Sequence, residues 1–498
     1  MTIRETTLKA IYAQIETMRP WMGPCNTHFI TIPSDEVPGQ WDHRPIKSGT
    51  FREWYRRHFQ SQTAIILQPE AMSFAVKALE DRAEKNGEKE AAVRILRRNN
   101  VAYLDLNNAE REVVEIDAEG WRIIKCPFDV RFIRNPNAAP LPRPIPPGGN
   151  YNITDLKRFV NISSNEDFYL IIAWVMGCFM GYEVPILVMN GQQNSGKSTN
   201  TNVIRGLLDP MRGLDLLTKP SNDRDMVSDI ATRFVLAYDN LSRIEEWLSN
   251  ALCNLSTGGT FGGRRLYSDN ESARFSAVRP VILNGIPEFA KLDDLKRRMF
   301  HIYIPPVTSG QRDKLSIYEE FAQAHPSLLA IILDGVVEAF KVRARGSTPL
   351  NEPLPLRDPV VWANSACEAL GLPKNAIIQA VRDGHSSSLE ESFDDSYVAR
   401  GVHDFMKDKK QWRGHSSELL KALWIYQPKE RGRETFWPSG PRAMTTTLMK
   451  IAPALRKMGI IIDKVRSNGA RLIQITWAPE IGVELTSEDE ITQKDLRR

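Results

Sequence analysis

The stretch Gly191-Gln-Gln-Asn194-Ser195-Gly196-Lys197-Ser198-Thr199 holds the residues of this chain best fitted to chemistry. Its spacing is that of a phosphate-cradling loop, in which backbone N–H groups must meet phosphate oxygens at close range. Glycine at 191 and 196 removes the Cβ that would block that approach and permits unusual dihedrals. A helix starting near Lys197 adds its positive end. Lys197 can reach the β- and γ-phosphates as a point charge, and the Ser198 hydroxyl is placed to coordinate Mg²⁺ with them. The expected cofactors are ATP and Mg²⁺, with Gly191, Asn194, Ser195, Gly196, Lys197, Ser198 and Thr199 as the binding set.

The metal needs an acidic ligand as well. The run Phe234-Val-Leu-Ala-Tyr-Asp239-Asn240 reads as a buried strand ending in a carboxylate, which makes Asp239 the expected Mg²⁺ partner beside Ser198. Asn240 stands where many ATPases place a glutamate that polarises the attacking water, and an amide cannot accept a proton. Asn240 could orient water without being a base, or Glu245 or Glu246 could approach; the residues do not choose among these, and slow turnover is one expectation. A further run, Pro280-Val-Ile-Leu-Asn284-Gly285, ends in an amide able to hold water near the γ-phosphate, although Asn-Gly after a strand is also an ordinary turn. Thirteen residues later come Arg297 and Arg298, whose fixed charge and bidentate geometry suit a transition-state finger.

Strand, loop and helix must follow one another to position the loop. Val184 to Met189 is a β-type run that feeds directly into it, and Val203 to Leu208 continues as helix. An apolar run at Leu214 to Leu217, a helix around Met226 and the strand Phe234 to Tyr238 extend the alternation, which argues a parallel sheet covered by helices. The expected fold class is therefore α/β, a P-loop NTPase over residues 151–345. Ahead of it, residues 1–135 read as a small α+β module. It has a helix in the first 20 residues, irregular chain after Pro20, helix formers from Ala71 to Arg98, and short β-like runs at Val101–Leu106, Val113–Ile116 and Trp121–Lys125. The Pro-rich stretch 136–150 predicts an extended strap and a domain boundary. Residues 346–395 read as a helical segment and 479–498 as a tail. Between them, 396–478 reads as short helices followed by strands Ile460–Val465 and Leu472–Ile475 across a Ser-Asn-Gly turn, a winged helix-turn-helix pattern.

Over 498 residues the net charge is only +4, too small to indicate a nucleic-acid partner by itself. Its distribution is more telling: residues 396–478 carry 16 Lys and Arg against 6 Asp and Glu. A basic helix-rich module suits DNA phosphates, with Arg442, Lys450, Arg456, Lys457, Lys464, Arg466 and Arg471 as the expected contributors. In the segment Thr260 to Arg274, paired glycines and arginines suit a projecting hairpin, where Arg264 and Arg265 could bind phosphates and Phe261 or Tyr267 could stack on a base. Five scattered cysteines without Cys-x-x-Cys spacing argue against a zinc site and for a reducing, cytoplasmic setting. The apolar run Phe168–Met180 is shorter than the ~20 residues of a membrane span and predicts a buried helix.

Taken together, these elements resemble the AAA+-type ATPases of superfamily-3 helicases and their relatives encoded by phages and other mobile genetic elements. Besides the loop, the resemblance is carried by Tyr103–Leu106, Gly120-Trp121, Asp239–Ser242, Leu252-Cys253, Thr257–Gly259, Arg265–Tyr267, Arg279–Ile286 and Asp294–Arg298, and it spans roughly residues 95–475. It implies an AAA+-like sheet, a sensor role for Asn284, and an arginine of the Arg297/Arg298 pair acting on a neighbouring subunit's ATP. It also implies a hairpin entering the channel of a ring, expected to be hexameric, around single-stranded or forked DNA. Asp239-Asn240 departs from the paired acids of many members, and residues 1–150 show no paired-acid or His cluster of a primase or nuclease. The expected function is an ATP-dependent DNA helicase or translocase in replication of a phage or mobile element; the alternative is a nucleotide-switched DNA-binding scaffold or loader.

Overall fold

The computed structural model describes residues 3–264, 272–285, 293–307, 312–346, 354–384, 396–407, 409–427, 437–467 and 470–477. The chain divides into two compact units, 1–348 with 354–381, and 349–353 with 382–498.

The first unit opens with α1 (Ile3–Thr17), β1 (Arg19–Met22), β2 (His28–Pro33), β3 (Trp41–Pro45), α2 (Gly49–Thr63) and α3 (Pro69–Asn86). The three strands form an antiparallel sheet in the order β1-β2-β3. Ile30, Ile32 and Ile46 pack with Ile11, Phe51, Tyr55 and Leu79 of the helices. The region after Pro20 is thus ordered strand and helix, contrary to the irregular chain expected. Three of its prolines belong to short strands, Pro20 within β1 and Pro33 and Pro45 at the ends of β2 and β3, and mask the β pattern. Helix α3 ends at Gly87, whose φ of 72° suits glycine, well short of Arg98. Ile95–Arg98 is instead β4, first strand of a meander completed by β5 (Val101–Asp105), β6 (Glu112–Ile116) and β7 (Trp121–Lys125).

The Pro-rich stretch is extended as expected, but residues on both sides of it lie in one compact unit. Leu141 is buried and its N–H donates to Leu106 O at 2.8 Å; the Ala139 N–H donates to Pro210 O at 2.8 Å. Beneath it runs a buried ion pair, Arg94 Nε to Asp209 Oδ1 at 3.1 Å, with both residues no more than 2% exposed. Arg94 also donates to the carbonyls of Asp105 and Ala139, and Asp209 accepts the N–H groups of Phe234 and Val235. Truncating one partner strands the other charge in the interior, which costs ~3–5 kcal/mol. Arg94→Ala is accordingly expected to lower the unfolding free energy of the first unit by that amount, measured by denaturant titration of tryptophan fluorescence; an unchanged midpoint would show that the pair does not hold the module down.

Beyond the strap come α4 (Asn165–Gly177), β8 (Ile186–Asn190), α5 (Lys197–Gly206), α6 (Asp223–Thr232), β9 (Leu236–Leu241), α7 (Glu246–Thr257), β10 (Thr260–Arg264), β11 (Ser272–Ser276), β12 (Val281–Gly285), α8 (Asp293–Lys296), β13 (Met299–Tyr303), α9 (Lys314–Arg345) and α10 (Arg357–Ser365). Strands β13-β8-β12-β9, in that order, form a wholly parallel four-stranded sheet. Their sequences are continuous apolar runs because parallel strands are covered on both faces. Leu217, from the apolar run 214–217, bridges Tyr238 in parallel beyond β9. Strands β10 and β11 pair as an antiparallel hairpin. The expected buried helix is α4, whose residues from Leu170 to Gly177 are all buried. No helix among the described residues is long and apolar enough to cross a membrane.

Helical residues 376–384 (α11) contain the end of the first unit. The second unit contains α12 (Tyr397–Met406), β14 (Gln411–Gly414), α13 (Ser416–Ala422), α14 (Pro441–Lys457), β15 (Ile460–Ser467) and β16 (Ala470–Trp477). Its antiparallel sheet runs β14-β16-β15. Val402, Leu419, Met444, Leu448, Leu455, Ile460 and Ile475 fill its core. Strand β14 falls in a stretch whose sequence suggests helix; only pairing of Trp412 with Ile475 makes it a strand.

Candidate functional site

Parallel pairing brings four strand ends to one edge of the sheet. Asn190, Asp239-Asn240, Asn284 and Tyr303 all lie at carboxyl ends, the edge of open α/β sheets where ligands bind. The glycine loop leaves β8 there and enters α5 through Gly196.

Each glycine has its own reason. Gly196 has φ 89°, a left-handed conformation, and a Cβ on it would meet nothing within 4 Å, so the requirement is conformational. At Gly191 the constraint is space, since a Cβ would lie 2.6 Å from Ile304 O. Asn194 takes φ 63°, which Asn tolerates better than most residues. Lys197 folds over the loop, its Nζ donating to Gly191 O at 2.7 Å and Gln192 O at 2.6 Å. Partial burial lowers the Lys197 pKa, and the charge of Asp239 opposes that shift.

The Ser198 hydroxyl donates to Asp239 Oδ2 at 2.8 Å, so residues 41 positions apart meet. A hydroxyl and a carboxylate in that arrangement could share a divalent cation. Asn284 stands between the loop strand and the Asp239 strand, opposite Met189, where the ladder to β9 shifts register between Leu283 and Gly285. It is fully buried and its Oδ1 accepts from Thr201 Oγ1 at 2.8 Å. Its Nδ2 and the buried Ser195 Oγ have no hydrogen-bond partner among the described residues. Buried polar groups left unpaired at a loop of this shape fit a site made to receive acceptor oxygens.

Asn240 is exposed and left-handed, with φ 59°. Glu245 pairs with Lys219 at 2.7 Å, and the Lys219 ammonium holds its carboxyl below the usual range. Glu246 is exposed in the first turn of α7.

Arg297 and Arg298 precede β13, at the amino ends of the strands: Ile186 N–H, at the start of β8, donates to Arg298 O at 2.8 Å. The five residues of β8 therefore separate them from the loop of their own chain, about 16 Å at ~3.3 Å per residue. Arg297 is exposed, whereas Arg298 faces Cys253 and Glu183.

Two residues beside the loop escape a reading by motif. Asn161 donates from Nδ2 to Ser195 O at 3.0 Å and Pro305 O at 2.8 Å. Its N–H and carbonyl exchange hydrogen bonds with the buried Asn200 side chain at 2.9 and 2.7 Å. This pair ties the loop to the first turns of α5 and to the chain after β13. The only sequence signal is an isolated Asn between apolar runs.

Of the expected DNA contacts, Arg265 and Tyr267 lie outside the described residues; Arg264 closes β10, and its side chain is also outside the description, as is that of Phe261. In the second unit Arg442 and Arg456 are exposed on α14 and Lys464 is exposed on β15. Arg466 and Arg471 face each other in the β15–β16 register. The side chains of these two, and those of Lys450 and Lys457, are likewise outside the description.

No curated protein matches the chain. Among solved structures, it is similar to the A form apo structure of the NrS-1 C-terminal region at 10% identity and TM-score 0.39, over 95% of this chain and 99% of that one. A further apo structure of that region gives 10% identity and TM-score 0.38 over the same shares. Likeness that distant does not carry one fold onto the other. Residues 153–357 match the family described as actinomycete integrative conjugative element replication protein, and residues 398–489 match the AICE RepA C-terminal domain. With two parts of one kind of protein matched in order along the chain, the first containing the glycine loop and the second the basic unit, this is a replication protein of a mobile element.

Proposed function

We propose that this protein is an ATP-dependent DNA helicase or translocase, working as a ring of six subunits in the replication of a mobile element. The observation that carries the reading is the Ser198–Asp239 hydrogen bond of 2.8 Å beside a glycine loop at the carboxyl edge of a parallel sheet. Strand order supports a P-loop NTPase core of AAA+ type, because the Asn284 strand is inserted between the loop strand and the Asp239 strand. Mg²⁺-ATP would be held by the loop N–H groups, Lys197, Ser198 and Asp239, and supplies the phosphoryl group whose hydrolysis drives movement. Lys197 neutralises phosphate charge, Asp239 and Ser198 hold the cation, and Asn284, with a free Nδ2, orients water. In the second unit the order helix, strand, helix, helix, strand, strand, with β14 paired to β16, supports a winged helix-turn-helix. There α14 would present Arg442 and Arg456 to duplex phosphates.

Strand displacement on a forked DNA with Mg²⁺ and ATP tests the proposal. An assembled protein that shows neither unwinding nor DNA-stimulated hydrolysis rejects it. Asn161→Ala is expected to weaken ATP binding about ten-fold by calorimetry, since the two hydrogen bonds of ~0.5–1.5 kcal/mol each that tie the loop at Ser195 to the chain at Pro305 are lost; unchanged affinity would mean that the loop holds its shape unaided.

A second reading, a nucleotide-switched scaffold or loader, is favoured by the water-activating position. Asn240 offers no base, Glu245 is occupied by Lys219, and a glutamate at 240 would have to adopt a left-handed backbone. Slow hydrolysis that DNA leaves unchanged, alongside tight ATP binding, would select it.

A further inference from the structure

The β1-β2-β3 sheet buries one face against helices, and its other face carries a cluster that the ATPase reading does not use. In register across the strands lie Arg19, Thr31 and His43, with Trp21 and Trp41 on the same face. Phe128, from the segment after β7, closes its rim.

The geometry is that of stacking surfaces joined to cations. The Trp41 and Phe128 rings meet edge to face at 5.0 Å and 73°. The exposed Arg19 guanidinium lies 5.0 Å from the Phe128 centroid and 6.0 Å from that of Trp41. Phe128 is 39% exposed, which leaves part of its ring open to a ligand. On the inner side, Arg131 lies 5.6 Å from the Trp21 ring.

Charge at this face is uneven. Arg44, Arg98, Arg111 and Arg134 each pair with a carboxylate. Arg19 and Arg131 have none within ion-pair distance among the described residues; Arg131 donates to the Asp129 carbonyl, and its Nε has no partner. Burial first, then Arg131, Arg134 and Arg111, push the pKa of the neighbouring His43 down to about 3. Arg19, with no carboxylate in ion-pair distance among the described residues, beside the exposed Phe128 ring and the half-buried Trp41, with Arg131 behind them only partly offset by Asp129 and Glu90, asks for a ligand that is both anionic and planar.

We propose that this face binds single-stranded DNA, with a base stacking on Phe128 and Trp41 and adjacent phosphates meeting Arg19 and Arg131. Unpaired bases expose π-faces, whereas bases within a duplex are covered by their neighbours, so the strand is single. An acidic peptide would satisfy the arginines and leave the rings unused. The inference does not depend on ATP binding, and none of these residues belongs to the glycine-loop site.

The test uses the full chain without nucleotide, a photoreactive oligo-thymidine, and mapping of the crosslinked peptides. Adducts on Trp41 or Phe128 are expected. Arg19→Gln with Phe128→Leu, which remove the charge and the aromatic face but keep a polar and an apolar side chain, should abolish them and weaken the fraction of binding they report about ten-fold. DNA-independent ATP hydrolysis should be unchanged in that variant. Adducts confined to other segments, or wild-type adducts that persist in the variant at unchanged affinity, overturn the proposal. Replacement of the oligonucleotide signal by equal binding of an acidic peptide also overturns it.

Discussion

Lys197→Ala is expected to remove ATP hydrolysis and strand displacement, by ~10² fold or more, while the protein stays folded. Among the described residues the ammonium is the side-chain cation that folds over the glycine loop, and loss of a single preorganised charge stabiliser at a reacting centre costs that much. Its structural role is small: it donates to two loop carbonyls, Gly191 O and Gln192 O, at a partly solvated surface where water can replace it. The thermal midpoint should therefore move little while turnover collapses, measured by phosphate release and by unwinding of a fork. A variant that retains turnover would remove the nucleotide site from this loop. The same variant that unfolds would instead mean that the ammonium is needed to hold the loop.

Arg297→Ala is expected to have an effect as large, through a neighbouring subunit. Within one chain the arginine pair stands at the opposite edge of the sheet from the glycine loop, so no self-contact can account for a catalytic role. Between subunits an arginine finger supplies ~10³–10⁵ in rate. Of the two, Arg297 is the exposed one, while Arg298 faces Cys253 and Glu183. Arg297→Ala should lose hydrolysis with ATP binding kept; Arg298→Ala should mainly lower stability. Mixing inactive Arg297→Ala with inactive Lys197→Ala protein should restore part of the activity, because some interfaces then combine an intact loop with an intact arginine. Mixed rings that form but stay inactive would refute the assignment in trans.

How much of the site could be read in advance differs residue by residue. Gly191, Gly196, Lys197 and Ser198 are contiguous, and backbone geometry over nine residues is a local property, so the loop was legible. Asp239 and Asn284 were legible as polar ends of apolar runs, because a buried parallel strand leaves few other places for a polar side chain. Asn161 was not, for its partners Ser195, Asn200 and Pro305 are brought to it only by the fold. Nor was the packing of the Pro-rich strap. Proline fixes an extended backbone, but whether that backbone hangs free or lies on Leu106 and Pro210 depends on surfaces far away in sequence.

By itself, then, the order of residues determined the glycine loop, the alternation of strands and helices around it, and the concentration of positive charge in residues 396–478. These depend on local dihedrals, side-chain period and composition. Tertiary structure alone decided that Ser198 meets Asp239, that the Asn284 strand lies between them, that the arginine pair faces away from its own loop, and that Arg94 and Asp209 bind the amino-terminal module into the first unit. Each of those depends on strand order or on a contact across tens of residues, and neither is encoded in any local period.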